Sequence, residues 1–490
     1  MLPRILSIAC PLFVYVTLAV LISGLWRERR KVEWPGLVLA AAGLLASFAA
    51  LAPVHRLFFD EDIYISIAGN LTRTPVAQIT LLGGPDDVQV STYYKEPSGW
   101  PVLLSLIFLI TGRSELGAVI VARILYAISI AAVYQVARAM LPTRRQAVVA
   151  AVIFAGAPAC FWFSPSAGTD IPAALFAVLG IWGVVAGNGV LAAAGFALAA
   201  QTRLELIILL PLVWLSSRVS WNWKLGAAGM VAAEIVHLGW VMSIAPVLAE
   251  AEKVDSAFSL GYLGANLVTN LGYILNPTAF PSLMAALALF GLIRNIRRLK
   301  QDDGLLWLQA VALFGVYLVF YAGSFNINPR YTIQFLAPMA ILAVSVSRHR
   351  VVLGILLLSA VIPYSAGLEH AAYVETLAAD HNLAVKFAST LQPNDLVLST
   401  EPEVFLNQDR RAMNAVFASE HRDRLEQELG QRKVLYHSGV RTNRPDTVEW
   451  RADQWVKSNF ELHLIDSHEI QGTRIAFYEI LLKSLDRETR

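Results

Sequence analysis

Apolar runs close to the ~20 residues that a bilayer-crossing helix requires recur from Ile5 to Gly367. The first, Ile5–Leu25, ends in the basic cluster Arg27, Arg29, Arg30 and Lys31, and the second covers Gly36–Pro53. Further runs follow at Leu116–Ala139, Ala147–Phe163, Ile171–Gly187, Val190–Thr202, Leu206–Ser216, Leu225–Ala245, Ala279–Ile293, Leu305–Ala322, Thr332–Ser347 and Val351–Gly367. Val190–Thr202 and Leu206–Ser216 are short and read as half-helices meeting near Arg203 and Glu205. Trp100–Thr111 is apolar for only about a dozen residues, the length of a re-entrant or interfacial segment. Beyond Glu369 the pattern becomes that of a water-soluble unit. Asp395–Thr400, Val434–His437, Phe460–Ile465 and Ile475–Ile480 read as short strands, and Glu420–Leu429 as an amphipathic helix. The expected fold is an all-α polytopic membrane bundle of about 12 transmembrane helices with a small C-terminal α/β domain. Residues 1–368 form the membrane module and 369–490 the appendage.

Charge orients these runs. Short cytoplasmic loops collect Lys and Arg. The basic loops are Arg27–Lys31, Arg138 with Arg144 and Arg145, Arg218 with Lys224, Arg294–Lys300, and Arg348 with Arg350. Placing all of them inside leaves both termini outside and makes Trp100–Thr111 an interfacial helix, since a crossing there would carry Arg144 and Arg145 outward. A long first outer loop, residues 55–114, results, followed by shorter ones at 164–170, 246–277 and 323–330. Composition agrees: 56% of residues are hydrophobic, 16% are charged, and mean hydropathy is +0.54, far from the soluble norm. A net charge of +2 gives no reason to expect a nucleic-acid partner. Cys10 and Cys160 lie in apolar runs and offer neither a disulfide framework nor a metal site. The basic cluster follows the first apolar run, which is not the order of a cleavable signal.

Candidate chemistry gathers on the outer side. Asp60, Glu61 and Asp62 are three successive carboxylates just beyond the second run. Crowded, partly desolvated carboxylates raise one another's pKa, as a general base requires, although acids are also ordinary at a helix start. Tyr64 returns to the face of Asp60 four residues later. Asp170 precedes Ile171-Pro172, where an N-cap is the simpler reading. Lys95 stands before the interfacial segment, a usual place for a snorkelling anchor. Arg203 and Glu205, costly between apolar runs, either pair with each other or serve a site. Arg330-Tyr331 opens a run from outside, where such pairs are common. Acids and cations on one face at headgroup depth suit an anionic lipid substrate. Buried histidines do not accumulate there, which argues against a proton-relay pump.

In order and topology these motifs resemble the GT-C superfamily of membrane glycosyltransferases, nearest to the protein O-mannosyltransferase and lipid A aminoarabinose transferase group. The matching positions are Asp60-Glu61 with Tyr64 and Ala68, then Lys95 with Pro97 and Trp100. Arg123, Asp170-Ile171-Pro172, Gly195 to Thr202-Arg203, and Arg330-Tyr331 complete the series. Departures are Glu96 where a double proline is common, an additional N-terminal run, and the third acid Asp62. The resemblance implies an inverting transferase in a cell (inner) membrane, moving a sugar from a polyprenyl-phosphate donor to an acceptor hydroxyl on a glycolipid, polysaccharide or protein. It implies Asp60 as general base, with Glu61 and Asp170 beside it, and Lys95, Arg203, Arg330, Tyr331 and Tyr64 as donor contacts. No metal is required by that scheme, while Asp60, Glu61 and Asp170 are the acids open to a divalent cation. The alternatives are a transporter or flippase of a lipid-linked or anionic solute, which predicts repeated halves that the sequence lacks, and a non-catalytic assembly protein.

Overall fold

A computed structural model describes residues 2–53, 55, 60–84, 86–93, 96–244, 258–295, 304–346, 348–361 and 368–483. The body is helical. Helices α1 (Leu2–Glu28) and α2 (Trp34–Ala50) are joined through the basic turn Arg29–Lys31. The first outer loop then forms α3 (Asp60–Leu71), strands β1 (Gln78–Gly83) and β2 (Val88–Tyr93), and α4 (Gly99–Thr111). Helices α5 (Glu115–Met140) and α6 (Arg144–Gly156) follow, and Pro158, which has no N–H to continue a helix, opens the short α7 (Pro158–Trp162).

Helices α8 (Asp170–Ala186) and α9 (Gly189–Thr202) are the most closely packed pair. Gly187 turns the chain at a φ of 71°, and the Asn188 side chain caps α9 by accepting from the Leu191 amide. A Cβ on Gly195 would lie 2.4 Å from the Gly180 nitrogen, so the two backbones touch, as small residues allow in apolar surroundings. After a 3₁₀ turn at Leu204–Leu209 come α10 (Leu210–Leu215) and α11 (Trp221–Ile244). The last helices of the body are α12 (Leu263–Leu275), α13 (Ser282–Asn295), α14 (Leu305–Val319), α15 (Ile333–Ser345) and α16 (Arg350–Val361).

Among the described residues, two helices are long and apolar enough by length and composition to cross a membrane, Ser7–Lys31 and Glu115–Met140, and a further set of apolar helices has only 10–17 residues each. The expected dozen crossings are therefore not each matched by a helix of full spanning length. The outer faces are nonetheless apolar: Ile110 is 85% exposed and Leu45 69%, surface that lipid covers at no cost and water does not.

The C-terminal unit contains α17 (Leu368–Thr390), β3 (Leu396–Ser399), α18 (Pro402–Asn407), β4 (Arg411–Asn414), α19 (Ala415–Glu420) and α20 (Arg422–Leu429). It ends with β5 (Val434–Ser438), α21 (Val448–Asn459), β6 (Phe460–Ile470) and β7 (Thr473–Leu482). The strands form one sheet in the order β2-β1-β4-β3-β5-β7-β6. Its centre, β4-β3-β5, is parallel, and the remaining pairings are antiparallel. A C-terminal sheet was expected; its extension by the outer-loop hairpin was not. Leu82 pairs with Met413 and Gly83 with Ala412, so the first outer loop and the C-terminal unit share one sheet.

Candidate functional site

Asp60 begins α3, and successive residues of a helix diverge by about 100°. The three acids accordingly point to different surroundings, although Glu61 and Asp62 both reach His55. Asp60 Oδ2 is 3.3 Å from Arg330 Nη1. Glu61 is buried and accepts from the Ser166 hydroxyl. Asp62, fully buried, faces His55 and His381.

The Asp60 side opens onto a charged network drawn from four parts of the chain. Arg330 Nη1 also lies 3.8 Å from Asp170 Oδ2. Arg203 binds Asp170 Oδ1, and its Nε donates to Glu205 Oε1 at 2.7 Å. The Arg203 guanidinium sits 4.8 Å from the centre of the Tyr331 ring, which is stacked on Tyr317, a cation–π arrangement that holds the charge in place. Gln334 donates to the Asp170 carbonyl at 3.0 Å. Tyr64 is buried close by; burial, together with the charges of Glu96 and Asp60, pushes its phenol well above the ordinary value, so it acts as a neutral donor.

Local packing fixes this arrangement. Trp100 Nε1 donates to the Ala167 carbonyl at 2.6 Å, tying α4 to the segment that carries Asp170. A Cβ on Gly99 would meet the Gln201 carbonyl oxygen at 2.5 Å, so α4 starts directly against the end of α9, where Arg203 emerges. Asp60, Asp170, Arg203, Arg330 and Tyr331 thus come together, with Tyr64 adjacent. Lys95 lies outside the described residues. Arg123 is elsewhere: its Nη2 donates to the Leu51 carbonyl at 2.6 Å and it lies over Phe48, joining α5 to α2.

One sequence reading needs correction. Buried histidines do accumulate on this side, because folding brings His55 to His381. Their rings stack with centroids 3.9 Å apart, and both Nδ1 atoms lie 3.2 Å from Asp62 Oδ2. Histidine placement therefore carries no weight against a proton relay, and a His-containing cluster able to hold a cation exists beside the acids of α3. Burial opposes charge on the two imidazoles, but Asp62 outweighs it and pushes His381 up to about 11. Burial likewise opposes charge on Asp62, yet the imidazoles hold it well below the usual carboxylate range. His55 and His381 are far apart in sequence, one in the first outer loop and one in the C-terminal unit, so no spacing rule could pair them. Glu234, whose carboxylate accepts from the Ser98 amide and hydroxyl, was also missed, although a lone acid inside the run Leu225–Ala245 was a visible signal.

Residues 95–249 match the family model of the dolichyl-phosphate-mannose-protein mannosyltransferases. That stretch contains Asp170, Arg203 and Glu205 but neither Asp60 nor Arg330. The fold resembles ArnT from Cupriavidus metallidurans, in a structure with bound undecaprenyl phosphate: TM-score 0.55, 13% identity, covering 90% of this chain and 97% of that one. It also resembles the oligosaccharyltransferase of Archaeoglobus fulgidus in its apo form: TM-score 0.51, 11% identity, covering 93% and 75%. The same archaeal enzyme in complex with Zn and sulfate aligns with a TM-score of 0.50 at 12% identity, covering 90% and 72%. No curated protein matches the sequence. The resemblance to the GT-C superfamily, first drawn from short motifs, is borne out at the level of fold.

Proposed function

We propose that the protein is a multi-pass glycosyltransferase of the inner membrane, transferring a sugar from a polyprenyl-phosphate donor to an acceptor hydroxyl on the outer face. The observation that carries this reading is the meeting of Asp60, Asp170, Arg203 and Arg330 in one half-buried network. An acid able to take a proton stands there beside cations able to hold a phosphate. The undecaprenyl phosphate bound to ArnT and the mannosyltransferase match over residues 95–249 support a lipid-phosphate donor.

In the proposed reaction the acceptor oxygen attacks the anomeric carbon while its proton passes to the Asp60 carboxylate. The bond from that carbon to the phosphate oxygen breaks, its electron pair leaving with the lipid phosphate, and the anomeric centre inverts. Positioned general-base transfer contributes about 10²–10⁴ in rate. Arg330 is the first candidate for the leaving phosphate, because it is shared between two carboxylates and an arriving anion competes for it directly. That competition would draw Arg330 off Asp60 and free the base only when donor is present. Arg203, clamped by Asp170 and Glu205, adds a fixed positive charge, worth most where water is excluded. Tyr331, Tyr64 and Lys95 complete the proposed donor contacts.

The test is incubation of the purified protein with a radiolabelled polyprenyl-phosphate sugar and a membrane extract as acceptor source. Label moving from the lipid into a new glycoconjugate supports the proposal. Transport of intact donor across a vesicle membrane without transfer would establish the flippase alternative instead.

A further inference from the structure

We propose that His55, Asp62 and His381 form a zinc site that pins the C-terminal unit to the first outer loop. His55 Nδ1, Asp62 Oδ2 and His381 Nδ1 lie within 4.8 Å of one another, and all three residues are buried. These same three atoms lack a hydrogen-bond partner: each nitrogen is 3.2 Å from the carboxylate oxygen without the alignment of a bond. Buried polar atoms are normally hydrogen-bonded, so three of them converging on one point without an aligned bond point to a ligand. One divalent cation accepts both nitrogen lone pairs and the oxygen together.

The surroundings are those of a built site. A metal-bound imidazole usually gives its other ring N–H to a carboxylate, which fixes the tautomer. Here Glu115 fills that place: its Oε2 is 3.3 Å from His381 Nε2 and 3.9 Å from His55 Nε2, while Gln408 donates to Oε1 at 2.7 Å. The other oxygen of Asp62 is taken by Asn407 Nδ2 at 3.2 Å, so Oδ2 alone is offered. Glu61 Oε2, 3.4 Å from His55 Nδ1, is within reach as a fourth ligand. A cavity of about 160 Å³ lined by His55, Glu115 and His381 gives a route in from solvent. Two imidazoles with carboxylate oxygen suit zinc, whose structural sites are usually four-coordinate. The ligands come from the stretch before α3, from α3 itself and from α17, so the ion would add a clasp between two parts of the chain that also meet through α18, the β1–β4 pairing and the Arg113–Asp409 and Arg411–Asp87 ion pairs.

The experiment reads metal, not sugar transfer, and so stands apart from the proposed function. Full-length protein in detergent is stripped with a chelator, re-equilibrated with zinc chloride, desalted and analysed for metal. Wild type should retain about one zinc per chain, as a single closed site requires. Asp62→Asn and His381→Gln should lose it, and Glu115→Gln should bind roughly 10–100-fold more weakly, the usual effect of losing the outer carboxylate. With cobalt in place of zinc, wild type should show visible absorption that both ligand variants lack. If stripped wild type retains no zinc, or if the variants hold as much as wild type, the cluster is a histidine–carboxylate ion pair and the proposal fails.

Discussion

Arg203 is held from two sides, by Asp170 and by Glu205, and its removal would leave two acids facing each other with little water between them. Breaking a buried ion pair from one side costs about 3–5 kcal/mol. Arg203→Gln is therefore expected to lower the thermal midpoint clearly. The triple change Arg203→Gln, Asp170→Asn, Glu205→Gln should recover most of that loss, since no charge is left unpaired, while transfer stays abolished. Full activity in the triple variant would mean that this part of the network is only a structural bridge. At this scale the sequence was informative where a residue breaks an apolar run. Arg203 and Glu205 were visible for that reason, Arg330 as the opening of a run from outside, and Asp170 through the Asp-Ile-Pro start of its helix. Each also has a bland reading as cap, anchor or local pair, and only their convergence in three dimensions separates the two.

Elements with a strong period were legible, and those that depend on a distant partner were not. Most apolar runs became helices within a few residues of their expected ends, although Ala147–Phe163 is broken at Pro158, and four of the five C-terminal strands appeared where β-rich segments stood, β4 being the one not expected. The hairpin at 78–93 was read as plain loop, although Gly84-Pro85-Asp86-Asp87 between two β-prone stretches was a turn signal. Its two strands find stability only by adding to β4, a partner more than three hundred residues away. Leu82, 1% exposed, anchors that junction in a core with Leu398 and Met413. Leu82→Ala should cost about 2–5 kcal/mol locally. Amides of 78–93 should then exchange with deuterium faster, while those of β3 and β5 change little. Unaltered exchange across the hairpin would show that it is held by other contacts. Within α18, burial and the charge of Asp62 push Glu403 up to about 7. Its folded value lies above the ordinary ~4.3, so its stabilising contribution is full below about pH 4 and is lost as pH rises through 7. Glu403→Gln, neutral at every pH, should raise the melting temperature at pH 8 and have almost no effect at pH 4. An equal gain at both values would place the effect in packing and not in protonation.

For the molecule as a whole, side-chain contacts sort the charged loops onto faces. Glu33 binds Arg138 at 3.1 Å and Arg144 at 3.2 Å, which brings the first two basic loops together. Arg218 of the third lines one cavity with Arg27 and Lys31, and Arg294 of the fourth donates to the Val346 carbonyl beside the fifth. One basic face supports the proposed orientation, with that face in the cytoplasm and the Asp60 network and C-terminal sheet outside. A phosphatase reporter fused after Arg490 should then be active and one fused near Arg144 silent; the reverse would put Asp60 on the cytoplasmic side. The central claim, that Asp60 is the base of a sugar transfer from lipid phosphate, is tested most directly by one comparison in the full-length protein. Transfer from a polyprenyl-phosphate sugar is measured for wild type, Asp60→Asn, Glu61→Gln and Asp62→Asn, alongside binding of undecaprenyl phosphate. Asp60→Asn keeps the shape and removes the basicity, so transfer should fall at least about a hundredfold while lipid-phosphate binding persists. Glu61→Gln and Asp62→Asn should be milder, because those carboxylates face Ser166 and the two histidines. Near-normal turnover in Asp60→Asn, with Glu61→Gln or Asp62→Asn inactive, would contradict it.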